Sequence, residues 1–207
     1  MRSPALHRRL ALAFALLLPL SFAASAAMAA EPRQAVDTLD NALLDVMKNA
    51  DSLGFRGRYQ KLEPVLDQVF NLPLMARFAI GPDWSSLTPS QQQKVTDAFR
   101  RFSITTYAAR FNGYSGESFT SENGKPITGG DQVVNTRLVR PNGDPVALNY
   151  RLRANGANWQ IIDVFLNGTI SQLANYRSEF GATMRSGGGD ALIKLLESKI
   201  AELTPKK

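Results

Sequence analysis

Apolar positions recur every three to four residues through the first half of the chain and every second residue through much of the second half. The pattern therefore predicts helices first and strands after them. In "EPRQAVDTLDNALLDVMKNA", Val36, Leu39, Leu43, Val46, Met47 and Ala50 form one helical stripe. "KLEPVLDQVF" predicts a helix with Pro64 at its first position and Val65, Leu66, Val69 and Phe70 on its apolar side. In "LTPSQQQ", Thr88, Pro89 and Gln91 have the order of an N-cap, a first helical residue and a capping-box partner. The helix they open is expected to run to about Phe111. Val95, Phe99, Phe102 and Thr106 make one stripe along it, and Ile104, Tyr107 and Phe111 make another. A helix apolar on two sides is buried between layers or lines a cavity on one of them.

The period then changes. "QVVNTRLV" (132–139) and "VALNYRLR" (146–153) fit strands joined through "PNGD", and "ESFT" (117–120) adds an edge strand. In the second strand Val146, Leu148, Tyr150 and Leu152 face one way, while Asn149, Arg151 and Arg153 face water. "WQIIDVFL" (159–166) is a strand apolar on both faces, with Asp163 expected opposite Ile162 and Val164. Two helices close the chain. "SQLANYRSEF" starts soon after Gly168, and "GGGDALIKLLESKIAEL" starts at an Asp190 cap beyond a flexible triple-glycine joint, Gly187 to Gly189. Segregated helices and an antiparallel meander make the class α+β, with about four strands packed against several helices.

Composition changes this picture most at the N-terminus. Arg2, His7, Arg8 and Arg9 precede an apolar run from Leu10 to Phe22, and an Ala-x-Ala site ends at Ala29, with Ala27 as the alternative. That layout predicts a secretory signal peptide over residues 1–29 and an exported single domain over residues 30–207. The run is shorter than the roughly 20 residues a membrane span needs and contains Pro19. The formal charge of +6 falls by three when Arg2, Arg8 and Arg9 leave, and no Lys/Arg-rich run remains to predict a nucleic-acid partner. The chain has no Cys, and its one His is His7 in the leader. Such a mature chain cannot build a Ser-His-Asp triad, a Cys nucleophile or a typical zinc site, and no cofactor is expected.

Two polar features and one apolar one are left to carry function. Asp163 is the acid/base candidate, either in a cone-shaped α+β enzyme or, on the blander reading, as a surface carboxylate paired with Arg151 or Arg153. Tyr176 and Arg177 could meet a phosphate or hydroxyl head group, or Arg177 could pair with Glu179. Asn167-Gly168-Thr169 fits a glycosylation sequon but is first a turn signal. The apolar feature is the crowd of Phe70, Leu72, Leu74, Met75, Phe78, Ile80 and Trp84, read as lying between two helices. With the doubled apolar faces it predicts a ligand cavity walled partly by Met47 and Met75, or an apolar scaffold for a protein partner.

The segments "FNLPLMARFAIGPDWSSLTPSQQQKVTDAFRRFSITTYAARFNGYSGESF" and "WQIIDVFLNGTISQLANYRSEF" resemble the MlaC, or toluene-tolerance auxiliary, family of periplasmic lipid carriers. Phe70, Met75, the Gly81-to-Trp84 turn, Leu87-Thr88-Pro89, Thr106-Tyr107, Trp159 and Gly168 through Tyr176-Arg177 to Phe180 carry the resemblance, which spans the mature chain. "LPLMARFAIGP", "FNGYSGE" and "NGTISQLANYRSEF" are closest to the HpnM-like branch associated with hopanoid biosynthesis, and Thr169-Ile170-Ser171 stands where mainstream members have Gly-Val/Ile-Ser.

The resemblance implies a twisted antiparallel sheet in an NTF2-like or cystatin-like roll, with an apolar cavity for acyl chains and no covalent chemistry. It also implies a phospholipid or hopanoid cargo passed between an inner-membrane ABC-type lipid transporter and an outer-membrane lipid complex, with only transient membrane contact. Taken with the apolar pattern, it puts Met47, Phe70, Leu74, Met75 and Phe78 in the lipid-binding wall. Phe99, Phe102, Tyr107 and Phe111 follow from the long helix, Tyr150, Val164 and Leu166 from the strands, and Tyr176 and Arg177 from the mouth.

Overall fold

The computed structural model describes residues 31–206, so the expected leader lies outside the described residues. The first helix, α1 (Pro32–Lys48), buries Val36, Leu39, Leu43, Val46 and Met47 along the stripe read from the sequence. A break at Asn49 leads into α2 (Ala50–Val69), which kinks at Gly54, where φ of 57° and ψ of −175° lie outside helical space. Positive φ strains residues with a Cβ, so glycine suits this corner. Pro64 does not open a helix but stands inside α2, on its exposed side. There the Gln60 carbonyl that loses its helical donor can turn to water.

The apolar stretch after Phe70 is not a connection but a helix, α3 (Leu72–Ile80), with Asn71 Oδ1 accepting from Leu74 N at 3.1 Å as its cap. A 3-10 turn over Gly81–Ser86 then delivers the chain to α4 (Pro89–Arg110). Thr88 and Gln91 form the reciprocal capping box that the sequence predicts, and Phe111 is the C-cap.

The sheet is a meander. Its edge consists of β1 (Ser118–Ser121) and β2 (Lys125–Pro126), paired antiparallel with β4 (Thr136–Val139) and β3 (Gln132–Val134) respectively. The expected single strand over 132–139 thus breaks at Asn135, whose carbonyl accepts from Glu122 N at 2.9 Å. Both halves pair with β5 (Val146–Asn155), which pairs with β6 (Asn158–Leu166), and β6 with the short β7 (Ile170–Ser171). The β6–β7 turn places Asn167 at φ 51° and Gly168 at φ 78°, the positive values that tight hairpin turns require.

One irregularity in this sheet reorients the residue before the candidate acid. Arg151 pairs with Asp163 and Leu152 with Ile161, so Ile162 is an extra, bulged residue. Simple alternation fails at that point. Ile161, Val164 and Leu166 share the helix-facing side with Leu148, Tyr150 and Leu152, whereas Ile162 and Asp163 turn together to the other side.

The chain ends in α5 (Gln172–Leu203), started by Ser171 and bent at Gly188, where φ is 67° and ψ −165°. The second closing helix read from the sequence is the segment of α5 beyond this non-helical break in the triple glycine, but Asp190 does not cap it, and its carboxylate instead accepts from Gln91 Nε2 at 3.2 Å. The glycines serve close packing as well as bending: a Cβ at Gly189 would stand 2.6 Å from Leu87 Cδ2. Among the described residues no helix is long and apolar enough to cross a membrane.

Candidate functional site

Two facts of packing create the site. The middle of α4 and the start of α5 meet through aromatic rings: Tyr176 stacks on Phe180 at 5.3 Å and meets Phe99 and Phe102 edge-on at 6.1 and 5.6 Å. Tyr107 stacks on Phe111 at 5.7 Å and tilts against Phe70 at 5.6 Å. These rings hold the helices off the inner face of β5 and β6, because rigid aromatics fill the contact at a few points and leave the space between open. The result is a cavity of about 540 Å³ between helices α1 to α5 on one side and the sheet on the other.

Its floor and walls are apolar. Met47, Leu66, Leu72 and Met75 come from the first three helices, and Val146, Leu148, Val164 and Leu166 come from the sheet. Tyr150, although only 1% exposed, also borders it. The open end is polar: Arg110, Asn112, Gly113, Ser115 and Arg140 are exposed there, with Glu117 and Gln172 half-buried. Arg140 donates Nε and Nη2 to the Asp144 carbonyl at 3.2 and 2.6 Å, and Glu117 accepts from Ser115 N at 2.6 Å. Arg110 has no carboxylate within ion-pair distance among the described residues.

The structure gathers Met47, Phe70, Met75, Phe99, Tyr107, Phe111, Tyr150, Val164, Leu166 and Tyr176 around this space. Four others named from the sequence stand elsewhere. Phe102 lies behind the Tyr176 ring, and Leu74 is half-buried off the cavity. Phe78 faces the outer side, where the Arg153 guanidinium lies 5.7 Å from its ring. Arg177 is not at the mouth, and it pairs neither with Glu179 nor with a strand aspartate. Its Nε donates to the Phe78 carbonyl at 2.9 Å, close to the Gly81 corner. A cation there answers the unpaired carbonyls at the end of α3.

Asp163 also lies away from the cavity. Its Oδ1 accepts from Val164 N at 2.8 Å and Leu173 N at 3.2 Å, and its Oδ2 accepts from Ser171 Oγ at 2.6 Å. These bonds tie the start of α5 to β6. The expected Arg151 and Arg153 partners go to Asp131 instead, with four contacts of 2.5 to 2.9 Å. The bond from Arg153, then that from Arg151, holds the Asp131 carboxyl below the usual range against the opposing effect of burial.

Several lining residues escape a reading of the sequence. Ser103, Thr106 and the 112–117 loop are polar or lie in a segment without periodicity, and Leu138 and Val146 sit on strands that read only as sheet. The two-stripe pattern of α4 is the available signal for Ser103 and Thr106, which lie on the same stretch of helix as Phe99 and Tyr107.

Comparisons with known proteins agree with this geometry. A phospholipid-binding protein from Ralstonia solanacearum, solved in complex with a phospholipid, superposes with a TM-score of 0.70 at 27% identity, covering 84% of this chain and 99% of that one. The toluene tolerance protein ttg2D of Pseudomonas putida is 24% identical over 151 residues, which make up 72% of this chain and 69% of that protein. The family model described as MlaC protein matches residues 37–198. With that match covering most of its length, this chain belongs to the MlaC protein family.

Proposed function

We propose that this protein is a periplasmic phospholipid carrier that holds acyl chains in the cavity and works without covalent chemistry or a cofactor. The observation that carries the reading is the 540 Å³ apolar cavity with a polar, open rim. Moving a hydrocarbon chain into water costs about 0.8 kcal/mol per CH₂ group, so a two-tailed lipid cannot cross an aqueous space unaided. A cavity that covers the tails removes most of that penalty, and the rim leaves the head group in water.

The phospholipid bound by the Ralstonia protein supports this cargo class. The leader pattern in residues 1–29 supports export, and family membership supports exchange with an inner-membrane lipid transporter and an outer-membrane lipid complex. A hopanoid cargo rests on the HpnM-like segments alone. The enzymatic alternative loses its actor, since Asp163 faces away from the cavity and all its bonds go to the start of α5 and its own strand.

Organic extraction of the purified protein followed by mass spectrometry is expected to release phospholipid, and the emptied protein is expected to take up labelled phospholipid from vesicles. Val164→Trp, which projects an indole into the cavity, is expected to lower uptake about tenfold with circular dichroism unchanged. Wild-type protein that neither carries nor takes up lipid overturns the reading.

A further inference from the structure

The hydroxyls that line the cavity fall into two groups. Ser103 Oγ donates to the Phe99 carbonyl at 2.9 Å and Thr106 Oγ1 to the Phe102 carbonyl at 2.8 Å, each one turn back along α4. The hydroxyls of Tyr107, Tyr150 and Tyr176 have no protein partner among the described residues. Yet the one fully buried side-chain polar atom without a partner among those residues is Asp40 Oδ1. The tyrosine oxygens therefore reach accessible space, and for the deeply buried Tyr150 that space is the cavity.

Packing does not require these hydroxyls. Tyr107 lies nearly parallel to Phe111, at 10°, and Tyr176 nearly parallel to Phe180, at 6°. A phenylalanine would stack equally well at either place, and a phenol facing an apolar space without an acceptor is unfavourable. Burial raises the pKa of all three, so they remain proton donors at neutral pH. Tyr107 lies one turn before Arg110 on α4 and stacks on the C-cap Phe111, and Tyr176 lies one turn after the rim residue Gln172 on α5, so both residues stand near the cationic rim. Tyr150, 1% exposed where Tyr107 and Tyr176 are half-buried, lies deeper.

We propose that Tyr107 and Tyr176 select ester-linked diacyl lipids by donating hydrogen bonds to the acyl ester carbonyls, below a phosphodiester held near Arg110. This deepens the carrier reading and rests on it. In a lipid held tails-inward, the ester carbonyls are the first acceptors above the hydrocarbon. They occupy the level where donors rooted in an apolar wall give way to a cationic rim. A ring-rich hydrocarbon lipid offers no carbonyl at that level and leaves both phenols without an acceptor.

The test is a competition. Delipidated protein is equilibrated with vesicles made of equal parts dioleoyl phosphatidylcholine and its diether analogue, and the bound lipids are compared by mass spectrometry. Wild-type protein is expected to hold the diester in about tenfold excess, and Tyr107→Phe/Tyr176→Phe close to equal amounts. Each single Phe variant should give about threefold, which keeps the test usable should the double variant fold poorly. Equal binding by wild type, or a preference retained in the Phe variants, overturns the proposal and leaves the carrier reading standing. Wild type that binds neither lipid overturns the carrier reading, and this proposal with it.

Discussion

The two sides of the β5–β6 pair both have polar side chains among apolar ones, and the protein uses them differently. On the outer face Asp163 serves two backbone amides and the Ser171 hydroxyl, Asp131 gathers Arg151 and Arg153, and Arg177 nearby caps α3. Those groups are engaged by the protein itself, and a ligand would have to displace a hydrogen bond to reach them. On the inner side Tyr150 of β5, with Tyr107 of α4 and Tyr176 of α5 across from the sheet, lines an apolar space, and their hydroxyls have no protein acceptor among the described residues. Engaged polar groups hold elements together, whereas unengaged ones beside a cavity are available to a guest. Residue type alone would have ranked Asp163 and Arg177 first.

The largest expected effect tests the outer face. Asp163→Ala removes three acceptor contacts at a buried junction and leaves two amides without partners, so unfolding in urea should show a loss of roughly 4 kcal/mol. The protein that remains folded at low temperature should still take up lipid. Normal stability with lost uptake would place Asp163 in the site and collapse the distinction between the faces.

A smaller effect of opposite sign is expected where a buried carboxyl lacks partners. Asp40 on α1 is 5% exposed; its Oδ2 accepts from Ser121 Oγ at 2.9 Å, and its Oδ1 has no partner among the described residues. Burial, reinforced by Asp37 and opposed by the Ser121 bond, pushes its pKa up from 3.8 to about 7. The folded protein therefore keeps a proton that the unfolded chain releases above about pH 4. Stability from this group is highest below that pH, falls as pH rises toward 7, and stays low beyond it. A rise of this size corresponds to on the order of 4 kcal/mol between the two protonation states. Asp40→Asn recovers only part of that because its amide is itself underpartnered. Thermal unfolding should show the variant about 2 kcal/mol more stable than wild type at pH 8 and near parity at pH 5. A pH-independent difference would remove the unpartnered carboxyl as the cause.

How much of this was legible in the sequence follows from where periodicity operates. The α1 stripe, the Thr88–Gln91 capping box, the meander and the Asn167-Gly168 turn are local signals, and the chain folds as they indicate. The nine residues of α3 are nearly all apolar and so show no period that separates a helix from a connection. The bulge at Ile162 has no residue signature and turns Ile162 to the side of Asp163, while Asp163 stays opposite Val164 as alternation predicts. Phe99 and Phe102 belong to one stripe of α4, yet one borders the cavity and the other lies behind Tyr176, because a helical stripe gives direction and not depth. The rim at Asn112 to Glu117 lies in a loop, where no pattern applies.

The smallest effect sharpens the comparison at its most misleading residue. Arg177 stands beside Tyr176 in sequence, and adjacency on a helix turns the two side chains about 100° apart. Tyr176 enters the cavity wall, and Arg177 reaches over the end of α3 to the Phe78 carbonyl. Its side chain is exposed, so Arg177→Ala should cost only about 1 kcal/mol in urea unfolding. Because the guanidinium does not border the cavity, lipid uptake and its dependence on salt should match wild type. Arg110→Gln is the counterpart on the rim: it should leave stability nearly untouched while weakening retention of lipids with an anionic phosphodiester, most visibly at low ionic strength. If Arg177→Ala produced the salt-sensitive loss and Arg110→Gln did not, the head group would have to lie on the outer face, and the division between structural and ligand-facing polar groups would be drawn in the wrong place.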